Sequence, residues 1–396
     1  MLLDERCHFL AEDFDGDHWQ ADASAFLETC ASLEIPTALE RSRSGRGGHV
    51  WIFFTDAIPA TMARKLGFHV LTETMERRPE IGFKSYDRFF PNQDTLPNGG
   101  FGNLIALPLQ KAARARNNSV FLDSGMVPHA DQWMFLSGLP RMEQGRVEGI
   151  VRLAEGRGRI VGVRMVAMEE EDGAEPWKAP PSRARRDAAP KGPMPGSIEL
   201  VLGDQVYVPK EGLPPSLSTA LSRLAAFQNP DYFKAQAMRL PTYDKPRIIA
   251  CAEDHPHHSG LPRGCLEEAL DLLLSSKVKT RVRDERFAGR PLPVKFQGVL
   301  RPDQLNAATV MAGHDAGVLA ATTAFGKTVI AAWLIAQRGV NTLVLVHRQQ
   351  LMDQWVERLS QFLGVPARAG LLVRHGTRKV DLQQRNIQHN PVASVT

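Results

Sequence analysis

No run of about 18 consecutive apolar residues occurs in the chain, so a membrane-crossing helix is not expected. The opening decapeptide, MLLDERCHFL, carries Asp4 and Glu5 and lacks the apolar core of a signal peptide. Cysteine is scarce. Cys7, Cys30, Cys251 and Cys265 form no C-x-x-C pair, which argues against a structural zinc site or a disulfide framework and fits a reducing cytoplasm. A large net charge is also missing, and +4 is a weak mark of a nucleic-acid binder by itself. The arginines are nonetheless clustered, in ERSRSGRGG (40–48), KAARAR (111–116), SRARRDAAPK (182–191) and KVKTRVRDER (277–286). Any one cluster reads as a phosphate-tracking patch or, at least as well, as solvated surface or linker.

What is present is a globular composition, 43% hydrophobic and 23% charged, over 396 residues, a length that suits two or three domains. Residues 1–168 mix strand and helix patterns. DASAFLETCASL (22–33) predicts a helix capped by Asp22, HVWIFF (49–54) a buried strand, and ATMARKLGFHVL (60–71) a second helix. Residues 169–196 are rich in Pro, Ala and charge without periodicity and read as a flexible linker. Residues 197–295 read as a small α/β module. It starts with a hairpin turning at Gly203-Asp204 and two helices with Pro near their starts, and continues with PRIIACAE, CLEEALDLLLSS and VKTRVRD as a β-α-β unit. Residues 296–396 open with a helix, then give strand GVLAAT, helix TVIAAWLIAQR, strand NTLVLVH and helix QQLMDQWVERLSQFL, the start of a parallel sheet. The expected fold class is α/β throughout.

The stretch CHFLAEDFDGDHW (7–19) alternates like a strand, with Cys7, Phe9 and Ala11 on one face. Asp13 and Asp15 continue that face, roughly 6.6 Å apart along the backbone. Two carboxylates converging there repel each other unless a cation sits between them, and hard ions such as Mg²⁺ or Mn²⁺ take oxygen ligands in this way. Taken alone, DFDGD also reads as a solvated strand end. Downstream, RSRSGRGGHVWIFF (41–54) sets glycines before a histidine that opens an apolar strand. Glycine lets backbone N–H groups approach an anion; Ser44 adds a hydroxyl, Arg46 charge, and His49 a donor. A hairpin loop feeding a core strand is the plainer alternative. A third carboxylate to complete a metal cage is offered by Asp94, before the glycine-loosened strand GFGNLIALPLQ (100–110), by its rival Asp123 at the end of SVFLD, and more weakly by Asp87.

Taken in order, these stretches resemble the archaeo-eukaryotic primase superfamily, and most closely the primase-polymerase domain of TOTE conflict-system proteins, in which that domain precedes a helicase. The resemblance covers about residues 5–140 and rests on Asp13-Phe14-Asp15, on Ser44-Gly45-Arg46-Gly47-Gly48-His49, and on FPNQD…GFGNLIALPLQ. It implies an RRM-like palm with Asp13, Asp15 and Asp94 as ligands of two metal ions. It further implies that Ser44, Arg46 and His49 bind the triphosphate of an incoming NTP or dNTP, and that a 3′-hydroxyl attacks the α-phosphate on a DNA template.

Gly326-Lys327-Thr328 follows a predicted strand and opens a predicted helix, the context a phosphate-binding loop needs. There Lys327 reaches the β- and γ-phosphates of ATP and Thr328 ligates Mg²⁺. ATTAFGKT resembles the superfamily-2 helicase form of this loop, with Ala324 in place of a glycine. FQGVLRPDQLNAA (296–308) looks like the adenine-reading segment of those helicases, with Gln304 as the reader, and NTLVLVHRQQLMDQWVERL (341–359) looks like the motif that lies along nucleic acid. After residue 365 no Asp-Glu pair of the DEAD/DEAH kind follows. The expectation is therefore a truncated helicase part that binds ATP weakly and does not unwind DNA alone, with a missing motor part or other conflict-system proteins as partners. The expected activity is primase/polymerase nucleotidyl transfer on single-stranded or duplex DNA. The alternative is an inactive DNA-binding module that positions a helicase. EDHPHHSG (253–260), with His255, His257 and His258, reads as a surface loop.

Overall fold

The structure, a computed structural model, describes residues 1–100, 103–163, 190, 192–365, 370–373 and 392–395. Most of the expected linker, and with it the basic cluster at 182–191, lies outside the described residues. Contacts divide the chain into two units, Met1–Asp284 and Glu285–Thr396. Among the described residues no helix is long and apolar enough to cross a membrane.

The first unit opens with β1 (Arg6–Asp15), α1 (Trp19–Ser32), β2 (Ala38–Arg41), β3 (Gly47–Pro59), α2 (Ala60–Met75) and β4 (Phe89–Phe90). After α3 (Lys111–Arg114), β5 (Val120–Leu122) adds an outer strand, so the sheet order is β4-β1-β3-β2-β5. Strand β3 pairs antiparallel with both β1 and β2, and β4 pairs antiparallel with β1. That is the split β-α-β-β-α-β arrangement, and it is the RRM-like palm that the sequence led us to expect.

Helix α1 buries Trp19, Ala23, Phe26 and Cys30, a stripe with the period of an amphipathic helix. It packs with α2 against Leu10, Phe14, Val50 and Ile52 on one face of the sheet. Burying a side chain such as Phe26 contributes about 1.5–3 kcal/mol. The other face carries Ala11, Trp51 and Phe121, partly covered by Phe135, Leu136 and Leu139. Phe135 and Leu136 lie on α4 (Gln132–Ser137).

Two local expectations change here. The register of β1 against β3 shifts between Cys7 and Phe9. This bulge turns Cys7 into the helix-side core with Leu10, away from Phe9 and Ala11. The first helix starts at Trp19, so Asp22 lies inside it and pairs with Arg78 instead of capping. Of the strand expected at 100–110, residues 103–110 form no strand.

After α5 (Gln144–Gly156) come β6 (Ser197–Leu202), β7 (Gln205–Pro209), α6 (Pro215–Leu224), β8 (Ala226–Gln228), α7 (Pro230–Ala237), β9 (Ile248–Ala250), β10 (Glu253–Asp254), β11 (His258–Pro262), α8 (Leu266–Ser275) and β12 (Lys279–Asp284). The second sheet has the order β10-β11-β7-β6-β12. The β-α-β reading needs correction. Strand β9 pairs with β8, whereas β12 finds its parallel partner in β6. The histidine-rich stretch is likewise less of a loop than expected, because His258 opens β11.

This part of the chain is tied to the palm. Thr219 Oγ1 donates to Met75 O at 2.6 Å, Arg223 donates to Thr72 O, and Ala226 and Ile248 join the palm's core. The Arg247 backbone N–H donates to Asp87, and its guanidinium lies over the Phe68 and Tyr232 rings.

The second unit holds α9 (Pro302–Ala312), α10 (Lys327–Arg338), β13 (Thr342–Leu345), α11 (Gln349–Leu363), β14 (Gly370–Val373) and β15 (Val392–Val395). Its strands pair in parallel in the order β13-β15-β14. Leu292, Ala332, Ile335, Leu359 and Leu363 form its core. The strand expected at GVLAAT does not form; Val318 is 95% exposed. A strand persists only where a neighbour takes up its backbone groups, and none of the three paired strands does so.

Candidate active site

Antiparallel pairing decides which side chains meet. Asp13 lies opposite His49, His49 opposite Glu40, and Glu40 opposite Phe121. Laterally paired residues point to the same side, so these four form one row across β1, β3, β2 and β5. The row lies on the face away from α1 and α2, the face that Ala11, Trp51 and Phe121 also share. Asp15, one side-chain step further along β1, sits opposite Gly47.

The histidine is the hub of the row. His49 Nε2 lies 3.5 Å from Asp13 Oδ1, and Nδ1 lies 3.0 Å from Glu40 Oε2. Burial pushes the imidazole down, but the Glu40 hydrogen bond and the charges of Glu40, Asp13 and Asp15 outweigh it and hold the value above the ordinary one. Burial, and then the neighbouring Asp15, push the Asp13 carboxyl up. Asp15 is more open and accepts from Arg88 at 3.1 Å.

Two glycines make this approach possible. A Cβ on Gly47 would sit 2.6 Å from Asp15 Oδ1 and 2.7 Å from Phe14 O; one on Gly48 would sit 2.5 Å from Trp19 Cζ3. Both lie inside β3, so their role differs from the expected one of baring a loop to an anion. The loop itself is Ser42–Arg46. Its Ser42, Gly45 and Arg46 amides are engaged by Gly47 O, Ser42 O and Ser44 Oγ respectively. Those three amides are thus taken up within the loop, and Arg43 and Arg46 are both exposed. Asn118 packs against Gly45 and donates to Arg43 O, which brings the 111–116 basic cluster alongside.

The structure brings Asp13, Asp15 and His49 together, with Ser44 and Arg46 in the loop that leads into β3. Its contacts tie Asp94 elsewhere. Phe90 lies opposite Ala11, so the chain beyond it runs toward the start of β1, where the Leu96 N–H donates to Glu5. Asp94 pairs with Arg64 at 3.0 Å and accepts from Gln236. Asp123 closes a turn, accepting from the Gly125 and Val127 amides beyond the far end of β5. Asp87 is held by the Arg247 amide.

Among the described residues no three His, Cys, Asp or Glu side chains gather as a ready metal cage. Two mutually repelling carboxylates on an open face still fit one Mg²⁺ or Mn²⁺, an ion that keeps several waters and takes phosphate oxygens from its substrate.

Sequence reasoning missed Glu40 and Arg88. Arg88 stands in a short stretch with no motif and Glu40 at the head of the 40–48 arginine cluster, and only strand register reveals the place of either. Glu12 was also missed. It is 1% exposed on the helix side of β1, and neither of its oxygens has a hydrogen-bond partner.

In the second unit Gly326 precedes α10 with φ +92°, and Lys327 Nζ donates to Ala321 O at 2.7 Å and Thr322 O at 2.9 Å. Thr328 is the second residue of that helix. Gln304 is buried and donates to Phe325 O at 2.7 Å while accepting from the Arg301 amide, which ties α9 to the loop. A Cβ on Gly326 would lie 2.5 Å from Gln304 Nε2. Ala324, where the helicase pattern has glycine, sits at φ +64°.

Comparison with known proteins finds two family matches, one in each unit. Residues 1–150 match the family described as TOTE conflict system, Archaeo-Eukaryotic Primase domain. Residues 297–391 match the family described as Type III restriction enzyme, res subunit. No curated protein matches the chain. The chain thus joins a segment that matches the archaeo-eukaryotic primase domain of the TOTE conflict-system type to a helicase-type segment that matches the restriction-enzyme res-subunit family.

Proposed function

We propose that the primase domain is a metal-dependent nucleotidyltransferase that copies a DNA template. The observation that carries this reading is the meeting of Asp13, Asp15 and His49 on the open face of the palm. When bound, one Mg²⁺ or Mn²⁺ offsets charge on the triphosphate and polarises its α-phosphate. Asp13 and Asp15 hold that ion from the end of β1. His49 donates from Nε2 to a phosphate oxygen, and Ser44 and Arg46 hold the remaining phosphates from the loop. A bond forms between the primer 3′-oxygen and the α-phosphorus as the bond to the β-phosphate breaks. Pyrophosphate leaves, and the hydroxyl proton passes to water. Exposed Arg43 and Arg116 flank the site and suit the phosphates of a template strand.

In the second unit, Lys327 would exchange the Ala321 and Thr322 carbonyls for the β- and γ-phosphates of ATP. Thr328 would face the accompanying Mg²⁺, and Gln304, which holds the loop, would lie by the adenine. Phosphate tracking by the basic clusters and a cytoplasmic setting are part of the same reading.

One observation favours a second reading, an inactive palm that docks a helicase on DNA: the partners of Asp94 are Arg64 and Gln236. Nucleotide incorporation on a single-stranded DNA template separates the two. It is measured with NTPs or dNTPs, with Mg²⁺ or Mn²⁺, and with or without primer. Incorporation lost in Asp13→Ala/Asp15→Ala supports the transferase. A folded, DNA-binding wild type that incorporates nothing supports the docking module.

A further inference from the structure

Glu40 is 1% exposed, and its two oxygens face three side chains, two from β3 and one from the turn that precedes β5. Oε2 lies 3.0 Å from His49 Nδ1 and accepts from Trp51 Nε1 at 2.9 Å; Oε1 accepts from Ser119 Oγ at 3.1 Å. Indole N–H only donates, so Oε2 is set as an acceptor and Nδ1 carries a proton toward it; a ring that also donates from Nε2 is the imidazolium, the form that the surrounding carboxylates favour. The His49 ring stands edge-on to Trp51, at 89° with centroids 6.1 Å apart.

Histidine χ2 is broad and roughly two-fold, so packing against Trp51 alone leaves two ring orientations of similar shape. A half-turn of the ring would place carbon where each nitrogen now sits, losing the Glu40 contact and turning Nε2 away from Asp13. Burying a carboxylate is also a poor route to stability, because an apolar side chain of similar volume usually does as well or better. The arrangement therefore calls for another reason.

We propose that Glu40 is a positioning residue. It fixes the ring orientation of His49 by accepting from Nδ1–H, so that Nε2–H faces the triphosphate site beside Asp13. This rests on the nucleotidyltransferase reading of the row. Glu40 touches no substrate and acts only through His49.

The test uses the full chain and a double-mutant cycle on the KM for nucleotide. Glu40→Leu and His49→Ala each raise that KM about tenfold, the usual cost of losing a hydrogen bond to a charged group. The double variant is expected to be no worse than His49→Ala alone. Glu40→Gln recovers most of the loss, because its amide oxygen accepts from Nδ1 and Nε1 and its NH₂ meets Ser119 Oγ. With ¹⁵N-labelled histidine, the wild type shows a protected His49 Nδ1–H resonance that Glu40→Leu abolishes. If Glu40→Leu does not fold, Glu40→Asp, which withdraws the carboxylate by one methylene, takes its place.

Two results would overturn the proposal: single effects that multiply in the double variant, or an Nδ1–H resonance unchanged by loss of Glu40. If the wild type incorporates no nucleotide, the transferase reading fails separately. The resonance then decides on its own whether Glu40 holds the ring.

Discussion

Glu12 offers the sharpest energetic test of the palm. It lies opposite Val50 and Phe89, flanked along β1 by Leu10 and Phe14 in the helix-side core. Neither carboxyl oxygen has a hydrogen-bond partner. Burial, with Asp13 and Asp87 adding to it against Arg88, holds its pKa well above the ordinary glutamate value. Glu12→Met keeps the approximate volume and removes the polar group. Burying such a group without a partner costs about 1–3 kcal/mol, so the variant should be more stable by that amount.

The pH dependence has a definite sign. The folded chain binds the Glu12 proton more tightly than the unfolded chain. Its contribution is therefore most favourable below the ordinary value, 4.5, and is lost as pH rises toward the folded one. The methionine variant lacks that slope, so its advantage should grow from about pH 5 to about pH 8. Urea unfolding of the full chain at both pH values measures it. A variant less stable than wild type at the higher pH, or an advantage that shrinks as pH rises, would refute the placement of Glu12 in an unpartnered apolar site.

Two further outcomes follow from backbone geometry. Gly48→Ala drives a methyl into the Trp19 ring and should destabilise the palm by about 1–3 kcal/mol, read as a lower urea midpoint; an unchanged midpoint would mean that α1 can give way. Ala324→Gly removes the left-handed strain at φ +64°, about 1–2 kcal/mol less the entropy that glycine adds. Amide exchange over residues 325–330 should slow about threefold, and no slowing would show that the loop carries no such strain.

Much of this arrangement was legible before the structure. The period-two alternation of β1 placed Asp13 and Asp15 on one face, and apolar periodicity placed α2, α8, α10 and α11 close to their observed bounds. What stayed hidden depends on register and on where coil travels. Nothing in TALERSRS says that Glu40 will lie beneath His49, because that follows from which residue of β2 faces which of β3. The bulge after Cys7 rotates one residue out of an otherwise regular alternation. Asp94 was placed by its position in a turn-rich segment, while the chain after Phe90 runs toward the opposite end of β1. GVLAAT has strand composition but no ladder to join among the described residues.

The most direct test of the central claim is the identity of the phosphate product. With a single-stranded DNA template, primer, Mn²⁺ and nucleotide, pyrophosphate release is measured against label incorporated into DNA. Nucleotidyl transfer at Asp13 and Asp15 predicts one pyrophosphate per nucleotide added, with both signals lost together in Asp13→Asn. Orthophosphate release without incorporation, unaffected by Asp13→Asn, would assign the nucleotide chemistry to the Lys327 loop and contradict the assignment of the palm as the reactive site.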